Sequence, residues 1–164
     1  MMRPANWQKV VRIPTKLLLG IAVLLLVPFA TAQNNLGELL DAGAKKLSLE
    51  EFKEEIVQRI TVGSMPTGGR IEVVYARSGM IQGAGSNREG EVVPSSPIMG
   101  EWTTDISGRV CTAMRIGGQP GATGPPLIML PARCQYWFKY KDDYFLADSD
   151  SDRSAKVLRR TVKQ

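Results

Sequence analysis

The chain contains no histidine. That removes the side chain most often used as a general base near neutral pH and the commonest metal ligand. Ser-His-Asp and Cys-His catalysis are excluded, as are zinc sites built on imidazole. Cysteine is almost missing too, with Cys111 and Cys134 the only two. A membrane-spanning helix needs about 20 apolar residues, and the run from Leu17 to Val27 is shorter and is followed by Pro28. A basic surplus is lacking once the first 32 residues are set aside. Of 21 basic side chains four lie there, with no acidic one, so 17 basic face 16 acidic in the remainder, a net charge of +1. Nucleic-acid binding needs a basic face that releases counterions from phosphates, and no such surplus remains.

What those 32 residues do contain is an ordered pattern. Arg3, Lys9, Arg12 and Lys16 form a positive segment, the apolar run follows, and Ala30-Thr31-Ala32 closes it. Basic, apolar, then small-x-small is the pattern of a secretory signal peptide. It predicts cleavage after Ala32, a periplasmic or secreted product starting at Gln33, and no stable membrane anchor after cleavage. Residues 33–164 are then expected to form one β-rich domain with an N-terminal helix, a size that can bury a single core.

In an exported chain two cysteines read as a structural disulfide. Cys111 and Cys134 both sit in strand-like sequence, and the Gly/Pro-rich stretch from Gly117 to Pro126 separates them. Neither a C-x-x-C spacing nor a helix N-terminus marks a redox pair.

Helical spacing marks Leu36, Leu39 and Leu40, weakened at Gly43. Ser48-Leu49-Glu50-Glu51 is a capping box, and Leu49, Phe52 and Ile56 then share one face of a short amphipathic helix. Strand-like segments follow at Arg70–Tyr75, Met80–Gly83, Met99–Thr104, Arg109–Ile116, Gln135–Lys141 and Tyr144–Ala147, with turn residues between them. Gly83 to Gly90 reads as a polar, glycine-rich break. Ala155 to Val162 fits a strand or a helix, and periodicity leaves both open. Short strands with turns every eight to twelve residues predict a mainly β (α+β) fold, a small antiparallel sheet or open barrel.

Asp148-Ser149-Asp150-Ser151-Asp152 begins like a calcium loop, but Arg153 replaces the required glycine and Arg159 the bidentate glutamate. A solvated acidic turn, pairing with Arg153 or Arg159, is expected instead, and no metal or cofactor is assigned. Trp102, Trp137 and Tyr136 are the candidate ligand or partner contacts among the aromatics. Alternation places Tyr136, Phe138 and Tyr140 on one face and Gln135, Trp137 and Lys139 on the other. If the Phe138 face is the buried one, Trp137 lies outside or against a helix.

A helix at Leu47–Phe52, the Tyr75-to-Gly83 hairpin, Gly100-Glu101-Trp102, Gly108-Arg109-Val110-Cys111 and Cys134 with Tyr136-Trp137 occur in that order. In this scheme the chain resembles a loose class of exported bacterial β-domain proteins of unknown function. The resemblance covers roughly Leu47 to Phe145 and implies a bridged antiparallel sheet or open barrel, no established enzymatic activity and no defined functional residues.

The expected function is an exported, non-enzymatic domain that binds a protein partner in the cell envelope. An inhibitor of cell-wall hydrolases is its sharpest form, with Gln119–Pro126 or Gly83–Gly90 as the inserting loop. The alternative is a small barrel that carries a hydrophobic ligand in a cavity lined by Met80, Ile81, Met114, Ile116, Ile128 and Met129. A histidine-free hydrolase working through carboxylates is a third reading.

Overall fold

Alternating burial along short strands sets the architecture. In β3 (Gly69–Tyr75) Ile71, Val73 and Tyr75 are buried, and Arg70 is exposed between two buried neighbours. The computed structural model describes residues 34–65, 69–86, 96–117 and 127–163. They form two short helices, α1 (Leu36–Asp41) and α2 (Leu49–Glu55), and ten strands. The remaining strands are β1 (Lys45–Lys46), β2 (Ile60–Met65), β4 (Met80–Ser86), β5 (Ser96–Thr104), β6 (Val110–Ile116), β7 (Ile128–Met129), β8 (Arg133–Tyr140), β9 (Asp143–Ala147) and β10 (Val157–Val162).

All pairings are antiparallel, and the order β8-β9-β10-β2-β3-β4-β5-β6 returns to β8. Eight strands therefore close into a barrel, with β1 added outside β8 and β7 outside β6. Closure rests on a three-pair seam: Val110 with Gln135, Cys111 with Cys134, Thr112 with Arg133. The two cysteines are joined in a disulfide across that seam. Among the described residues no helix is long and apolar enough to cross a membrane.

An eight-stranded barrel is about wide enough for side chains to fill it. Here they fill one end. The capping box of α2 is formed: the Ser48 side chain accepts from the Glu51 backbone N–H, and the Glu51 carboxylate accepts from the Ser48 N–H. The helix it starts places Phe52, 1% exposed, against the rings of Tyr75, Trp102 and Trp137, at centroid distances of 5.8, 5.4 and 5.2 Å. Ile56 and Val57 join the same core. At the end of α2, Glu55 Oε2 accepts from Lys139 Nζ at 2.5 Å and from the Tyr144 hydroxyl at 2.7 Å. Burial pushes the Glu55 carboxyl up, but those two donors and the charges of Lys139 and Arg59 outweigh it and hold the group below its ordinary range.

A second core lies outside the barrel wall, where α1 sets Leu36 and Leu39 on Phe138, Phe145 and Ala147. Both faces of β8 are thus covered. Trp137 points into the barrel and Phe138 outward under α1, so the face that carries Trp137 is an interior one.

Several expectations change on closure. Residues 83–86 continue β4 rather than breaking it, because glycine lets β3 approach: a Cβ at Gly83 would lie 2.0 Å from the Glu72 carbonyl oxygen. Ala155–Val162 resolves as the strand β10. The proposed cavity list mixes two faces: Ile81 and Ile116 are core, but Met80 is half-buried on the outside and Ile128 and Met129 are 43% and 66% exposed. Adjacent strand residues point to opposite faces, so Met80 and Ile81 cannot both line one interior. In 148–152 the carboxylates have separate partners. Asp148 accepts from Gln135, Asp150 pairs with Lys46 and Asp152 accepts from Ser154. Arg153 and Arg159 pair instead with Asp41 and Asp143.

The β5–β6 turn is organised by one carboxylate. Asp105 Oδ1 accepts from the Ser107 hydroxyl and from the backbone of Ser107 and Arg109, and Oδ2 accepts from Arg109 Nε at 2.7 Å. The Ser107 hydroxyl first, and then the Arg109 backbone and guanidinium, hold the Asp105 carboxyl far below its usual range against a smaller opposing effect of burial. A depressed carboxyl stabilises the fold above the unfolded pKa, about 3.9, and that contribution is lost as pH falls through the folded value. Wild type is therefore expected to exceed D105N in stability at pH 7, with the gap closing below about pH 4. Urea midpoints at several pH values read this, and a gap independent of pH would refute it.

Candidate functional site

At the end of the barrel opposite α2 the described residues leave a recess of about 130 Å³, lined by Met65, Ile71, Met114, Leu130 and Leu158 together with Thr112, Pro131, Arg133, Gln135 and Arg160. Strand register explains the set. Ile71 faces Gly63 across β3–β2, Gly63 faces Arg160 across β2–β10, and Thr112 faces Arg133 across the seam. Inward positions of β2, β3, β6, β8 and β10 thus meet at one level, and Leu130 closes over them from beyond β7.

The chemistry of this recess is uneven. Among the described residues two guanidinium groups line it and no carboxylate does. Arg133 is exposed at the rim, whereas Arg160 is only 6% exposed. Arg160 Nη1 donates to the carbonyl oxygens of Ser64 at 2.8 Å and Arg159 at 3.0 Å. Among the described residues Arg160 forms no ion pair, and its Nε and Nη2 have no hydrogen-bond acceptor. Among the described residues no fully buried side-chain nitrogen or oxygen lacks a partner, so this edge of the guanidinium keeps some accessible surface. Burial pulls the Arg160 pKa down, while the neighbouring Tyr75 acts the other way. A guanidinium starts so high that it stays charged at neutral pH.

Gly63 makes the room. A Cβ there would lie 2.3 Å from Arg160 Nη1 and 2.6 Å from the Arg159 carbonyl oxygen. Any larger residue at 63 forces the guanidinium aside.

The aromatic candidates divide. Trp102 and Trp137 both pack on Phe52 at the filled end. Trp137 is 3% exposed and offers nothing to an outside partner. Trp102 is half-buried, donates its indole N–H to the Ala76 carbonyl oxygen at 2.8 Å, and borders a shallow groove with Glu50, Lys53, Glu54, Val57 and Arg77. Tyr136 lies on the outer wall with Lys46 Nζ 5.0 Å from its ring centre. Cys111 and Cys134 lie beside Asp105, the one cluster of acidic or cysteine ligand atoms among the described residues close enough for a metal, but sulfurs bonded to each other are not thiolate ligands. Of the expected inserting loops, 119–126 and 87–90 lie outside the described residues, as do residues 1–33 with the leader.

Arg160 escapes a sequence reading that treats Arg153, Lys156, Arg159, Arg160 and Lys163 as one basic tail. The available signal is parity: Arg160 shares a face with Leu158 and Val162, two residues to either side.

On the outer wall, Met99, Leu127 and Met129 are 41%, 51% and 66% exposed, while Ile128 pairs with the core residue Ile116 and takes the other face of β7. Met80, Met99, Met114 and Met129 border a second, shallower depression there. Compared with family models, curated proteins and solved structures, the chain gives no match, so its fold and site are argued from its own residues.

Proposed function

We propose that this chain is an exported, non-enzymatic barrel that takes a small apolar ligand into the recess at one end. One observation carries the reading: the barrel closes, its α2 end is filled by Phe52 and the surrounding rings, and the other end keeps an apolar recess of about 130 Å³. A dry apolar cavity of about 150 Å³ accepts a benzene-sized molecule, which sets the scale of the group that enters. The leader pattern and the disulfide support export. The lack of histidine in the chain and of carboxylates in the recess supports a binding rather than a hydrolytic role.

Titration with 1-hexanol is expected to shift the NMR methyl signals of Ile71, Leu130 and Leu158 together. A Leu158→Trp substitution, which fills the recess, is expected to abolish the shifts. Shifts absent from wild type, or unchanged in the filled variant, would end this reading.

A second reading has its own support. Met99, Leu127 and Met129 expose apolar surface on one stretch of outer wall, of the kind that protein partners cover, here a partner in the cell envelope. The Leu158→Trp variant leaves that strip unchanged, so the two readings separate on one protein.

A further inference from the structure

The recess holds a feature that an apolar ligand alone does not explain. Arg160 is only 6% exposed, and among the described residues no carboxylate pairs with it. Buried charges are normally paired, because taking them out of water is costly. Arg159, the preceding residue, points outward and has its partner in Asp143 at 2.6 Å. Arg160 has two backbone carbonyl oxygens, and both take the same nitrogen, Nη1. The edge left over carries Nε–H and one Nη2–H side by side, the fork that receives both oxygens of a carboxylate in parallel. That edge keeps some accessible surface, and Arg160 lines the recess.

We propose that the recess is a binding site for a small carboxylate with an apolar body, both oxygens held by the Nε–Nη2 edge of Arg160 and the body packed on Ile71, Leu130 and Leu158. This names the ligand class for the binding role proposed above and rests on it. The apolar lining selects an organic acid over an inorganic anion, since phosphate needs donors on several sides and Met65, Ile71, Met114, Leu130 and Leu158 provide none. The volume limits the enclosed part to a group of about six carbons, by comparison with the benzene-sized cavity. Arg133 at the rim adds a second positive charge along the approach. Asp148, which accepts from Gln135 Nε2 at 2.8 Å, lies behind that amide and is not among the lining residues.

The same carboxylate chemistry is offered by a free short-chain acid and by the C-terminus of a peptide. The test therefore uses the natural chain as purified, with calorimetric titration of hexanoate, hexanamide, inorganic phosphate, and the peptide Ala-Ala-Leu as free acid and as amide. Hexanoate is expected to bind at least tenfold more tightly than hexanamide, and phosphate not to compete. A free-acid peptide tighter than hexanoate identifies the source as a chain terminus, and a weaker one as a small acid. Equal binding of hexanoate and hexanamide, or displacement of hexanoate by phosphate, overturns the carboxylate site. In the first of these cases the apolar-ligand role survives. Binding by neither hexanoate nor hexanamide removes both.

The Arg160 Nε–H resonance gives a readout in wild type that needs no substitution to fold. It is expected to move on adding hexanoate and stay in place with hexanamide. R160K, which keeps the charge but loses the fork, is expected to bind hexanoate at least tenfold more weakly. If R160K is misfolded, the Nε–H resonance decides: no movement with saturating hexanoate overturns the proposal.

Discussion

Phe52→Ala is expected to destabilise the protein by about 4 kcal/mol, in the range for removing a buried aromatic side chain. Phe52 is 1% exposed and touches three rings, two of them edge-on. Its loss leaves a hole ringed by Tyr75, Trp102 and Trp137, which strands on three sides of the barrel hold apart. Those rings are fixed by their own packing: Tyr75 and Trp137 centroids are 5.8 Å apart, and the Trp102 indole is tied to Ala76. The site therefore cannot collapse to refill the volume. The cost also reaches α2, because a seven-residue helix has no stability of its own and stays only where its apolar face is seated. Urea unfolding measures the loss, and near-ultraviolet circular dichroism reports the two tryptophans. A change below about 1 kcal/mol would show that Phe52 is not the plug of that end. Ile106→Ala, at a fully exposed turn position, is the matched control and is expected to change little.

Replacing Cys111 and Cys134 together with alanine is expected to cost about 3 kcal/mol by the loop-closure estimate for a sequence separation of 23. The position of the bridge makes this loss local as well as global. Six walls of the barrel join strands consecutive in sequence, each with at least five register pairs. Only β10–β2 and the β6–β8 seam close on three pairs between strands that are not consecutive, and at the seam the connection runs for 16 residues, from Gly117 to Ala132. Hydrogen exchange is expected to accelerate first at the amides of 110–112 and 133–135. Equal protection in the bridged and unbridged forms would mean that the seam closes on its backbone pairs alone. Because Thr112, Arg133 and Gln135 belong both to the seam and to the recess, the unbridged protein is also expected to lose ligand binding before it unfolds.

Local signals were legible wherever neighbours in sequence are neighbours in space. The capping box at Ser48 and Glu51, the face formed by Leu49, Phe52 and Ile56, and most strands follow from hydrogen-bonding geometry and from the periods of helix and strand. The disulfide between Cys111 and Cys134 followed from there being two cysteines in strand-like sequence behind an export pattern. The mainly β class followed from the spacing of turns. Three elements escaped: β1 and β7 are two residues long, too short for any period to register, and β2 buries the adjacent Thr61 and Val62 and carries Gly63 and Ser64, so it shows no clean alternation.

The candidate site was much less legible. Parity shows that Arg160 shares a face with Leu158 and Val162, but not whether that face looks into a barrel or out to water. Both faces of β8 are apolar, one for the interior and one for α1, so the strand alone cannot say where Trp137 goes. Only closure decides. Once β6 pairs with β8, one side of each strand becomes the interior, Gly63 gains a reason to lack a side chain, and Arg160 becomes a buried cation rather than part of a basic tail. Residue order and period determined the helices, the strands, the turns and the bridge, because those depend on contacts within a few residues or on chemistry that two cysteines share anywhere in the chain. The inward assignment of each face, the filled end and the recess opposite it, and the meeting of Arg160 with Ile71, Leu130 and Leu158 came from pairings between distant strands, whose register no local stretch of sequence encodes.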